Sequence, residues 1–262
     1  MGPVDRVLRV LAACIAVAAL LLLAADPRLR VGPDATTSAQ NASAEANATT
    51  ARAKGYSYLL RSDDDRYPGR WCAGTIAYTI DLTQVGGSGM DPAAEVQRWE
   101  AVFQAWTTAS QGRYRFEFAG ERALELTDDG QLNLESIESG SIGITYVNGD
   151  DAAGDDSHRA VAVRGRTAGN AGLQVVSNDS GASGQLVGDR GFVMIDAHDA
   201  AALSEDVLRQ ALYLHESGHA LGLGHVDSSG SIMNGTLSSD RPALAPGDIT
   251  GLRTLAELPC QR

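Results

Sequence analysis

Positive charge is scarce in this 262-residue chain: 21 Lys and Arg face 33 Asp and Glu, for a net charge of −12. A phosphate backbone is neutralised by clustered cations, so the imbalance excludes a nucleic-acid partner. Lys54 is the only lysine, and no function follows from that bias. Long apolar runs are also missing. The longest, residues 10–25, has sixteen positions, short of the roughly 20 that span a bilayer comfortably. Because Arg6 and Arg9 precede it, the first 25 residues read as an export signal, either cleaved after Ala25 or kept as an anchor; Leu23 is a poor fit to the small-x-small cleavage rule. The chain is then expected outside the cytoplasm, secreted or held to the membrane by this segment alone. Residues 26–54 contain almost nothing large and apolar, so they cannot bury enough surface to offset chain entropy and read as a disordered tether. With 44% apolar residues in the whole chain, a folded domain over 55–262 has material for a core. There is no internal repeat.

Cysteine is rare as well. Outside the leader only Cys72 and Cys260 remain, and in an oxidising compartment that pair is expected to form a disulfide. Closing so long a loop is worth on the order of 4 to 5 kcal/mol in the chain-entropy account.

Periodicity orders the elements of the domain. Residues 75–81 alternate as a strand; 90–110 then switch to helical spacing, with Asp91 as cap, Pro92 at the first helical position, and Val96, Trp99, Phe103 and Trp106 on one face. Further strands are predicted at 113–118, 142–147, 159–163, 173–177 and 192–196, separated by Gly- and Asp-rich connections. A second helix opens at Ser204 with Glu205 and Asp206 in its first turn. A third begins near Pro246, carries Ile249, Leu252, Leu255 and Leu258, and is ended by Pro259.

Histidine is the last scarcity, and it is uneven: of five in the chain, three lie within "HESGHALGLGH", residues 215–225. On a helix His215 and His219 stack one turn apart, so two imidazoles face one ion. Glu216 sits beside them, suited to hold a water without becoming a ligand. Gly222 and Gly224 permit the chain to leave the helix and bring His225 back. Three imidazoles and an open position are the donor set of catalytic zinc, whereas a closed structural site calls for a fourth protein ligand, usually cysteine, and none is nearby.

The stretch "HESGHALGLGHVDSSGSIMN" resembles the metzincin zinc-protease signature, with the closest likeness to the matrixins. The resemblance implies an α+β fold, a twisted, mostly parallel mixed sheet of about five strands with three helices. It implies His215, His219 and His225 as zinc ligands, Glu216 as general base, and Met233 as the apolar floor of a Met-turn. "WCAGTIAYTI" and "LAPGDITGLRTL" resemble further parts of the family pattern more loosely. Matrixins usually continue the Met-turn with Tyr and Pro; here Asn234, Gly235 and Thr236 follow, and no cysteine-switch peptide precedes the domain. His158 and His198 are too few for a second zinc, and Asp150, Asp151, Asp155 and Asp156 form an acidic loop that reads as calcium site or as solvated turn.

The expected activity is that of an exported, monomeric zinc endopeptidase acting on protein or peptide substrates, with Glu216 moving the proton. Two other readings share the metal site: a zinc-containing surface module without proteolysis, and a hydrolase of a non-peptide amide.

Overall fold

The computed structural model describes residues 55–62, 66–128, 130–148, 163, 167–178, 185–203, 206–238 and 243–260. The leader and tether, Ser204 with Glu205, His158, the acidic loop and all of the 159–163 strand except Val163 lie outside the described residues. In chain order the elements are β1 Ser57–Tyr58, β2 Gly74–Asp81, α1 Pro92–Ala109, β3 Tyr114–Glu121, β4 Ser141–Val147, β5 Gly169–Asn178, β6 Gln185–Asp196, α2 Ala197–Ala202, α3 Asp206–Ala220, β7 Leu223–Gly224 and α4 Pro246–Glu257. Among the described residues no helix is long and apolar enough to cross a membrane.

Five strands make one sheet in the order β3-β2-β4-β6-β5. All neighbours run parallel except β5, which pairs antiparallel with β6 at the sheet edge. The mixed sheet with its packed helices is an α+β fold, as the signature implied. Every residue of β4 is buried, as a strand covered on both faces requires. At the opposite edge β3 alternates: Phe116 and Phe118 turn toward the core while Arg115 and Glu117 are exposed.

The first helix forms where predicted. Asp91 accepts a hydrogen bond from the Ala93 amide at 3.0 Å, Pro92 fills the first turn, and Trp99, Val102, Phe103 and Trp106 are buried. Glu95 on the same helix is buried too, which its charge gave no reason to expect. Its carboxylate accepts from the Tyr213 hydroxyl at 2.6 Å and the Tyr146 hydroxyl at 2.8 Å, and pairs with Arg209 at 3.2 Å. These bonds tie α1 to β4 and α3, and Trp99 stacks on Tyr213 with centroids 4.5 Å apart. Removing one partner from such a cluster leaves buried charge uncompensated, at a cost of about 3–5 kcal/mol. The short helix α2 is absent from the sequence expectation because Asp196, which ends β6, also caps it through the His198 and Asp199 amides. The Cys72–Cys260 disulfide is present, with Cα atoms 5.5 Å apart across a separation of 188 residues.

Burial pushes the Tyr78 phenol up to about 12, and those of Tyr114, Tyr146 and Tyr213 higher still, the last two also through the Glu95 charge. In unfolded chains tyrosine ionises near ~10. Because the folded values are raised, the stability these groups confer is complete below about pH 10 and is lost as pH climbs through the folded range, at up to ~1.4 kcal/mol per pH unit per group. Alkaline titration followed by phenolate absorbance and near-ultraviolet circular dichroism should show the buried phenols ionising together with cooperative unfolding. Complete phenol ionisation at about pH 11 with the near-ultraviolet signal intact would contradict this.

Candidate metal centre

Three contacts hold α3 in place before any ligand is considered. The Trp106 indole N–H donates to Ser217 Oγ at 2.8 Å, fastening the middle of α3 to α1. The Trp71 indole N–H donates to the Ala220 carbonyl at 2.9 Å and closes the helix's C-terminal end. Glu95 holds the preceding turn through Tyr213 and Arg209.

On this fixed helix His215 and His219 present their rings one turn apart, centroids 4.7 Å from each other. The helix stops at Ala220, and Gly222 takes the left-handed backbone that turns the chain, with φ at +99°. Gly224 has another role: it lies extended in β7, and a Cβ there would sit 2.7 Å from Ser57 Oγ and 2.9 Å from the Tyr58 carbonyl oxygen. Its missing side chain makes room for the N-terminal strand. Beyond it His225 swings back, and the Nε2 atoms of His215, His219 and His225 form a triangle with all three sides 3.1 Å.

The chemistry of this donor set decides what fits. His215 Nδ1 meets the Ile232 carbonyl at 2.7 Å and His219 Nδ1 meets the Leu223 carbonyl at 2.8 Å. A carbonyl only accepts, so both Nδ1 atoms carry the proton and both Nε2 atoms present lone pairs. Two acceptors facing each other at 3.1 Å repel. A cation among the three rings removes that conflict, and tetrahedral zinc with nitrogen at about 2.0–2.1 Å spaces its ligands by roughly 3.3 Å. The residues therefore fit zinc, held by His215, His219 and His225. Burial, followed by the neighbouring His215 and His225, holds His219 well below the usual imidazole range and so in its ligating neutral form.

Glu216 is buried on the same turn, and its carboxylate lies against the first residue of the sheet-edge strand: a Cβ on Gly169 would meet Glu216 Oε1 at 2.7 Å. Burial alone pushes this carboxyl up to about 8. A dication beside it would favour the carboxylate and draw that value down.

Met233 is buried against α3, its sulfur so close to Gly218 that a Cβ there has no room. The turn carrying it is fixed by buried Asp248 on α4, which accepts from the Ser231 hydroxyl, the Ile232 amide at 3.0 Å and the Ala245 amide at 2.8 Å. Past the methionine, where Tyr-Pro is missing, Asn234 Nδ2 donates to the Val226 carbonyl at 3.2 Å and tethers the departing chain. Thus His215, Glu216, His219, His225 and Met233 converge, while Cys72 and Cys260 join elsewhere as a cross-link. Gly169, Ser57 and Asp248 were not singled out by sequence reasoning. Only Asp248 carried a signal, as the acid in the first turn of a predicted helix.

A model of the matrixin family, a peptidase family, matches residues 70–256. No curated protein matches the chain.

A ligand that binds only the folded state raises its stability by mass action, by about 4 kcal/mol at a thousand times the dissociation constant. Zinc should accordingly raise the calorimetric unfolding temperature of the native chain, and His219→Ala should abolish the rise. An equal zinc-induced rise in both proteins would exclude this triad as the site.

Proposed function

This chain belongs to the matrixin family, and on that premise we propose that it is an exported zinc-dependent endopeptidase cleaving protein or peptide substrates. The observation that carries the reading is the triangle of Nε2 atoms, two of them obliged to present lone pairs, with a buried carboxylate one residue from the first ligand. A structural zinc site has no use for that carboxylate. When bound, zinc would supply a Lewis acid that polarises the scissile carbonyl and acidifies water.

The chain's own residues do the rest. Glu216 takes a proton from the attacking water and delivers it to the leaving nitrogen, so that no acyl-enzyme forms. Its burial keeps bulk water from competing for that proton. Among the described residues β5 is the last strand of the five-stranded sheet, and an extended peptide would lie along it as an added strand. Since β5 begins at Gly169, directly over Glu216, a peptide laid along it passes the carboxylate. The leader at 1–25 supports export, with the domain working outside the cytoplasm as a monomer, free or held by that segment.

Glu216→Gln removes the proton carrier and keeps the shape. It should retain zinc at one ion per chain and lower the cleavage rate of a peptide mixture by about 10²–10⁴-fold. An undiminished rate in this variant refutes the assigned role. Gly169→Ala should likewise keep zinc while displacing the Glu216 carboxylate, lowering kcat by at least about tenfold. Native kcat in Gly169→Ala would show that the close approach of β5 has no catalytic consequence.

A further inference from the structure

Of the three rings, His225 is the one that no helix carries. It follows the turn at Gly222 and is the most exposed of the three. What holds it comes from far away in the chain. Ser57 Oγ donates to the His225 carbonyl at 2.6 Å across 168 residues. Around that bond β1 lies antiparallel to β7, with Ser57 opposite Gly224 and Tyr58 opposite Leu223, and the Leu59 amide donates to the Gly222 carbonyl at 2.9 Å. The same Leu223 offers its carbonyl to His219 Nδ1 at 2.8 Å, so β7 orients a second ring as well. On the other side of His225 the Val226 amide donates to the Met233 carbonyl at 3.0 Å.

Packing repeats the message. Gly224 has no space for a Cβ because β1 occupies it; Gly251 on α4 is closed off by Tyr56 at 2.8 Å; Gly247, at the start of that helix, lies directly on Gly55. Residues 55–59 are thus seated from α4 to the metal-binding turn, and they are also the segment through which the domain joins the preceding chain.

We infer that the strand Ser57–Tyr58 is a brace for the metal centre, with Ser57 a positioning residue that fixes the backbone of His225 so that metal affinity depends on the chain entering the domain. The inference rests on the zinc reading above. It assigns the N-terminal segment a role in metal retention, distinct from its role as a link to the tether. A β1 strand displaced by cleavage between residues 55 and 60, or by a partner pulling on the tether, would loosen His225 and shed the ion while α3 keeps its fold. Groups that orient metal ligands from behind typically change affinity by about 10–100-fold when removed.

The test uses the full chain. Native protein, Ser57→Ala and Ser57→Thr are compared for zinc dissociation constant by competition with a chromogenic chelator, and for the rate of zinc release from the loaded protein. Ser57→Ala should raise the dissociation constant about tenfold with correspondingly faster release, while its metal-free form keeps the native circular dichroism at the assay temperature. Ser57→Thr, which retains the hydroxyl, should return both values to within about twofold of native. The release rate from loaded protein keeps the test decisive even if the metal-free variant unfolds. Native affinity and release in Ser57→Ala overturn the brace alone. A native chain that takes up no zinc overturns the metal reading and the brace together.

Discussion

Three imidazole nitrogens drawn to within 3.1 Å of one another, two of them obliged to present lone pairs, are a configuration that a protein does not hold for its own sake. The Nδ1 protons of His215 and His219 are committed to backbone carbonyls, so in the neutral rings their Nε2 atoms present lone pairs to each other. Around this point the rest of the molecule is arranged. Indole N–H groups pin α3 at its middle and at its end, the Glu95 cluster sets its direction against α1, and Asp248 fixes the turn that both supports the rings and accepts from one of them. Most of these contacts are buried, where a hydrogen bond to a charged or fully desolvated group is worth most and where its loss costs most.

The centre is therefore assembled from stretches of chain far apart in the sequence. The helix contributes two rings and Glu216, the turn after Gly222 contributes the third ring, and the Met-turn packs Met233 against Gly218 of the helix. The segment at residues 57–59 contributes no ligand, yet touches the backbone of the least supported one. Gly169 at the start of β5 gives Glu216 the space its carboxylate occupies. The matrixin match spans residues 70–256 and so contains the three histidines, Glu216 and Asn234, whereas Ser57 lies outside it.

What was legible in the sequence was local. The periodic apolar faces of α1 and α4 and the alternation in β2 follow from short-range spacing, and the five residues 215, 216, 219, 225 and 233 stand in a spaced signature. What was not legible depends on contacts between distant segments. Nothing near Glu95 shows that two tyrosines and an arginine more than fifty positions away will neutralise it. Gly169 sits in a run of small residues with no pattern of its own, and its meaning appears only when β5 is laid beside α3. Gly224 looked like a second turn residue; its extended backbone shows that it is there for closeness to β1. The short β1 strand is two residues long, below the length at which alternation says anything.

The central claim is that the converging imidazoles exist to hold one metal ion with a position left open. Diffraction from crystals grown with zinc, collected on both sides of the zinc absorption edge, addresses it directly. The account predicts a single strong anomalous peak at about 2.0–2.1 Å from Nε2 of His215, His219 and His225, with no fourth protein ligand. An absent peak, rings turned away from one another, or an ion completed by a fourth side chain would contradict it.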